Sequence, residues 1–151
     1  MSLTFKKTFK AEKITENLKD QMAIAVNKLA NDVVKDHKVR LKKNLGVTGG
    51  LQPLAPSTVR NKRSKGSKFP NRPLVDEGIM TNIFVNKTAT RDSLIATIII
   101  PDVGNRREVS EYHQTGDGVP KREWFGITKK VRKNMHSYLS KAWTKAKKAT
   151  K

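Results

Sequence analysis

The chain has three histidines, His37, His113 and His136, and acid–base or metal chemistry near neutral pH would have to start from them. His113 carries the one suggestive neighbourhood. Glu111 precedes it by two residues and Asp117 follows, a set that in principle could bind a cation or pass a proton. Metal sites show tighter ligand sets, such as paired histidines at helical spacing, and His113 has no such companion. Asp117-Gly118 also reads as an ordinary turn pair. His37 and His136 fall in predicted helices as surface or packing residues. The absence of cysteine excludes disulfides, zinc–thiolate sites and cysteine nucleophiles. Gly46-Val-Thr-Gly-Gly50 lacks the Gly-Lys-Ser/Thr ending and the preceding strand of a phosphate loop, and no Gly-x-Ser-x-Gly elbow occurs. The expectation is no catalytic residue, no metal and no cofactor, with a metal-dependent nuclease centred on His113 as the enzymatic alternative.

Charge is the outlying property. Lys and Arg total 32 against 13 Asp and Glu, a formal net charge of +19. A field of that size attracts polyanions such as nucleic acid and keeps a protein soluble. Its distribution is uneven. Between Ser57 and Pro73 stand Arg60, Lys62, Arg63, Lys65, Lys68 and Arg72 with no acid, and between Lys121 and Lys151 stand eleven basic residues and one acid, Glu123. A small non-specific nucleic-acid-binding protein is therefore one functional expectation, salt-sensitive and sequence-tolerant. Aromatic residues are too few, at 6%, to suggest a base-stacking platform.

The elements that must position these residues follow from periodicity and punctuation. The 151 residues suit one domain, and a hydrophobic content of 36% suggests that part of it is flexible or ordered only in an assembly. No apolar run approaches the roughly 18 residues that span a bilayer. Met1–Lys7 lacks the apolar core of a secretory signal, so a soluble cytoplasmic protein with no membrane contact is expected. Residues 1–10 read as an extended arm. From Ala11 to Asn44 apolar residues recur every three or four positions (Ile14, Leu18, Met22, Ala25, Leu29, Val33), without Pro or Gly until Gly46, which predicts one long amphipathic helix. Residues 46–73 form a long basic loop, with Ser57 able to cap a short helix over Thr58–Lys62. Ile79, Ile83 and Val85 begin on a helical turn and continue as a strand, and Ser93–Ile100 reads as a second strand closed by Pro101. A polar loop over 102–110 and a short strand over Glu111–Thr115 follow. Thr128 is placed to cap a last helix from Lys129 to about Ala149, with 147–151 as a flexible basic tail.

Three blocks carry a family resemblance. Leu51–Lys62 is similar to a Pro-Leu-Ser-Pro-x-Thr-x-x-x-Lys pattern through Pro53, Leu54, Pro56, Thr58 and Lys62. Leu74–Ile83 resembles a Leu-x-Asp/Thr-x-Gly-x-Leu block, with Met80 in the Leu place and Asn82 where Ser is usual. Tyr112-His-Gln-Thr-Gly116 followed by Pro120-Lys-Arg-Glu-Trp-Phe-Gly-Ile127 resembles His-Gln-x-Gly…Pro-x-Arg-x-Phe-Leu-Gly. In this order they resemble the virion morphogenesis, or tail completion, proteins of tailed phages. The resemblance implies an α+β fold, with a small antiparallel sheet packed against the long helix. It also implies a non-enzymatic structural role in tail completion or head–tail joining, in the tail or neck of a virion assembled in the bacterial host cytoplasm. Copies would form a ring, hexameric by the same resemblance, facing the tail tube, terminator or head connector.

The expected assembly-interface residues are Arg60, Lys62, Arg63, Lys65, Lys68, His113, Gln114, Arg122, Trp124 and Phe125, with non-specific contact to DNA through the positive charge. Arg122, Trp124 and Phe125 are expected as interface anchors, since Arg and aromatics carry interface energy disproportionately. For the two aromatics, core packing against the last helix is the competing expectation.

Overall fold

Helix α1 (Lys7–Lys42) opens the computed structural model, which describes residues 7–75, 79–101 and 106–149. The helix runs 36 residues because nothing between Lys7 and Lys42 breaks it. The extended arm expected over residues 1–10 is corrected for Lys7–Lys10, which are helical; residues 1–6 lie outside the described residues. Leu41 is followed by a Schellman ending. Asn44 takes a left-handed conformation (φ 55°), its N–H donates to the Leu41 carbonyl at 3.1 Å, and the Leu45 N–H reaches the Arg40 carbonyl at 2.9 Å. The chain then doubles back at once: Leu45 pairs antiparallel with Gly50, and the Gly46 N–H donates to the Gly49 carbonyl at 2.6 Å.

The stretch expected as a long loop contains a nine-residue helix, α2 (Pro56–Ser64). Its N-cap is Ala55, with no side-chain capping bond, so the expected cap at Ser57 is displaced. Proline at the first turn needs no amide partner and starts the helix with its fixed φ. Gly66 (φ 72°) ends it in a second Schellman pattern, with Ser67 N–H on the Lys62 carbonyl at 2.9 Å. A helical turn at Ile79–Thr81 leads into strand β1 (Phe84–Lys87), as the sequence predicts. Asp76–Gly78, in the second resemblance block, lie outside the described residues.

Strand β1 pairs with β2 (Thr97–Ile99) in a two-stranded antiparallel sheet. The expected second strand, Ser93–Ile100, is shortened to three residues. A turn closes at Thr90–Ser93, through Thr90 N–H to the Ser93 carbonyl (2.8 Å) and Ser93 N–H to Thr90 Oγ1 (3.1 Å), and β1 stops at Lys87. Residues 93–96 therefore have no ladder partner, and Leu94 and Ile95 are left 40% and 65% exposed.

The largest correction concerns residues 106–115, expected as the end of a polar loop and a short strand. They form helix α3 (Arg106–Thr115). Residues 102–105 lie outside the described residues. The inner side of α3 includes Ser110, His113 and Gln114, polar residues that bond Trp124, Arg122 and Phe125 in the following loop, so no apolar stripe announces the helix. Helix α4 (Lys129–Lys148) follows Thr128 and buries Val131, Ala142 and Ala146. Lys147 and Lys148, expected in a flexible tail, belong to it.

Contacts divide the chain into two units, residues 1–31, 85–97 and 129–151, and residues 32–84 and 98–128. In the first, the Asn27 side chain clamps the loop after β1: its Nδ2 donates to the Ala89 carbonyl (2.9 Å), and the Ala89 N–H donates to its Oδ1 (2.7 Å). Arg91 reaches Glu16 at 3.1 Å and Asp20 at 3.8 Å. The second unit has its own core, built by Leu41, Leu51, Met80, Ile83 and Trp124 and flanked by Val34, Leu74, Ile98, Ile100, Val109 and Phe125. No helix among the described residues is long and apolar enough to cross a membrane.

The turn after α1 presses against residue 123. A Cβ on Gly46 would stand 2.7 Å from the Glu123 carbonyl oxygen, which the Val47 N–H already holds at 2.7 Å. Gly46→Ala is expected to destabilise this unit by about 1–3 kcal/mol, through a forced backbone shift, measured as a lowered denaturation midpoint with an unchanged slope.

Candidate interaction surfaces

The ten residues expected at an interface all lie in the second unit, and the structure sorts them into two groups. The first is a buried polar knot. Arg122, only 4% exposed, donates from Nε to the Gln52 carbonyl (3.0 Å), from Nη2 to Pro53 (3.2 Å), and from Nη1 to Pro120 (3.3 Å) and to His113 Nδ1 (3.0 Å). One guanidinium thus ties the chain after the Gly46–Gly50 turn to α3 and to its own loop. An arginine has donors only, so His113 Nδ1 must accept, which places the imidazole proton on Nε2. Burial pushes the His113 pKa below the ordinary histidine value, the Arg122 charge pushes it further, and a bond to the Pro120 carbonyl opposes both. Burial also lowers the pKa of Arg122 from its usual value. Arginine nevertheless keeps its proton throughout the accessible pH range.

Gln114 works as a backbone surrogate. Its Nε2 donates to the Phe125 carbonyl (2.9 Å) and its Oε1 accepts the Phe125 N–H (3.2 Å), as a strand neighbour would. Trp124 is 2% exposed, and its Nε1–H donates to the Ser110 carbonyl at 3.0 Å. Its ring meets the edge of His37 at 5.2 Å between centroids and lies 5.7 Å from Phe125, which is half-buried. Trp124 is a core residue of its own unit, held by α3 and the end of α1. Gly116 (φ 88°) closes α3 through its N–H on the Tyr112 carbonyl (2.7 Å), and a Cβ there would crowd Lys121.

His37 takes the packing role. It is fully buried on the stripe with Val33 and Leu41, and its Nε2 donates to the Met80 carbonyl at 2.9 Å. Its Nδ1 has no hydrogen-bond partner. Burial dominates in lowering its pKa, against the opposing Met80 bond, so the ring is neutral. Arg40, in the last turns of α1, is buried, donating to Asp36 (2.8 Å) and to the Trp124 carbonyl (3.2 Å). The spacing Val33–His37–Leu41 was the available signal for His37; nothing local signals the inward turn of Arg40. His136 is exposed on α4.

The second group is a cationic surface. Arg60, Arg63, Lys65 and Lys68 are exposed on α2 and just after it, and α2 buries no residue of its own. Lys62 is drawn inward, donating to the carbonyls of Arg72 (3.0 Å) and Val75 (2.7 Å), and so anchors α2. Arg72 lies over the Phe69 ring, 4.9 Å from its centroid. Beside Arg122 opens a cleft of about 360 Å³, lined by the Gly46–Gln52 turn with Lys121, Arg122 and Glu123. Lys121 holds Glu123 at 3.0 Å and keeps its carboxyl pKa below the usual value. Among the described residues no group of three His, Asp or Glu side chains is placed to hold a metal.

Searches of the chain against protein-family models, curated proteins and solved structures gave no match.

Replacing Arg122 with Met keeps bulk but removes the donors that hold the Gln52, Pro53 and Pro120 carbonyls and His113 Nδ1. Arg122→Met is expected to cost about 3 kcal/mol, read from chemical denaturation followed by tryptophan fluorescence. A second expectation concerns acid. His37 and His113 bind protons less readily folded than unfolded, so stability is full above the unfolded histidine pKa and falls as pH drops below it, until the folded pKa is reached. Melting temperature should decline from about pH 7.5 towards pH 5.5, one unit either side of the unfolded histidine value. His37→Gln should flatten that decline, and an equally steep decline in the variant would refute the assignment.

Proposed function

We propose that this chain is a structural, non-enzymatic component of a tailed-phage or prophage particle, acting in tail completion or head–tail joining by assembling with copies of itself and docking on neighbouring tail or connector proteins. The observation that carries this reading is that the three resemblance blocks, far apart in sequence, meet in one unit. Leu51 of the first, Met80 and Ile83 of the second and Trp124 of the third share a core. Arg122 of the third bonds the carbonyls of Gln52 and Pro53 in the first, and Lys62 of the first bonds Val75 in the second. Motif residues are thus largely spent on packing within one unit, which leaves contact work to the surface.

Surface features support docking. The cationic α2 is held by its Lys62 anchor and by no buried apolar face, so a partner can settle against it without disturbing a core. Residues 94–96, outside the ladder, expose Leu94 and Ile95 beside a two-stranded sheet, the kind of edge that accepts a strand from a neighbouring chain. Arg72 stacked on exposed Phe69 offers the residue types that anchor interfaces.

Deleting the gene from its phage or prophage is expected to yield filled heads and separate tails in electron micrographs of the lysate, with infectivity restored by the gene supplied in trans. Joined, infectious particles from the deletion would refute the reading.

A further inference from the structure

Helix α4 presents eight basic residues and no acid over its twenty positions, more than any other element for its length. On its apolar face Val131, Ala142 and Ala146 are already buried, and exposed Trp143 is covered by the Lys147 ammonium at 4.6 Å, so little of that face is left for a bilayer. Within the first unit, α4 lies beside the earlier part of α1, and a groove of about 60 Å³ runs between them. Ala25 and Ala142, both buried, line it with small side chains. Lys28 of α1 and Lys141 and Lys145 of α4, all exposed, border it together with Gln21 and Tyr138, and no carboxylate lines it. The acids on the preceding turns of α1, Glu16 and Asp20, are engaged by Arg91.

We infer that this groove is a binding track for the phosphate backbone of nucleic acid. Lys141 and Lys145 are one helical turn apart and Lys148 continues the same stripe, giving a row of about 10 Å along the axis at 1.5 Å per residue. Ammonium groups on flexible stems suit phosphates met at varying register, which makes the contact independent of base sequence. The groove carries one exposed large apolar residue, Ile24, and lacks the aromatic cluster that a protein partner would require for anchoring. None of its lining residues belongs to α2 or to the three resemblance blocks, and it can be tested on the purified chain alone.

The test measures affinity for a 20-base-pair duplex of arbitrary sequence across a salt series. The triple variant Lys28→Gln, Lys141→Gln, Lys145→Gln is expected to lower the magnitude of the log K against log salt slope by about 2–3, the loss of three phosphate contacts. The matched variant Lys42→Gln, Lys43→Gln, Lys87→Gln removes the same net charge from exposed positions elsewhere and is expected to leave the slope near that of the unmodified chain. Lys28→Arg, Lys141→Arg, Lys145→Arg should preserve it, which separates lost contacts from lost folding. Equal losses in both glutamine variants would reduce the effect to overall charge and overturn the proposal. So would failure of the unmodified chain to bind duplex, or equally tight binding of polyglutamate, which would assign the groove to an acidic protein. None of these outcomes bears on whether heads and tails join.

Discussion

The buried guanidinium of Arg122 is the interaction on which the second unit depends. Its partners are three carbonyls and an imidazole rather than a carboxylate. A charge so placed gains little from any single partner, and its desolvation is offset only when its donors are satisfied together. That condition fixes the positions of Gln52, Pro53, Pro120 and His113 at once. Neighbouring features obey it. The Gly46 turn has to pass under Glu123 without a side chain, and His113 has to stay neutral to accept.

Around that knot, polar side chains do what sheet hydrogen bonds do in larger domains. The sheet has two short strands, too few to organise a core of this size. Gln114 pairs with the backbone of Phe125, Trp124 with the carbonyl of Ser110, His37 with that of Met80, and Arg40 with that of Trp124. Such bonds are directional, so they set geometry where a small apolar core alone would permit several packings. The unit keeps its shape with few apolar residues, consistent with the low hydrophobic content of the chain.

This arrangement also separates rigidity from contact. Several basic residues are spent inside as donors, namely Arg40, Lys62 and Arg122, while the other basic residues of α2 and those of α4 remain outside. A net charge of +19 therefore combines two populations with different physical roles. The interior ones specify the fold. The exterior ones create a field that falls off over a Debye length of about 8–10 Å at physiological salt and acts on whatever lies against the surface.

The sequence by itself determined the elements whose cause is local. Helix α1 follows from an unbroken apolar period, and α4 from a comparable period after Thr128. Tertiary structure decided the rest. Helix α3 has a polar inner side, so apolar periodicity could not reveal it, and residues 93–96 lost their ladder because β1 ends at Lys87 and has nothing to offer them. Arg122, His113, Gln114 and Trp124 carried interface-like chemistry in the sequence, yet most of their hydrogen-bonding capacity is used within the chain. The Arg122 and Arg40 bonds span sequence separations of 70 and 84 residues. Whether a donor faces a carbonyl that distant or faces solvent depends on where the backbone is brought, and no local pattern of residues records it.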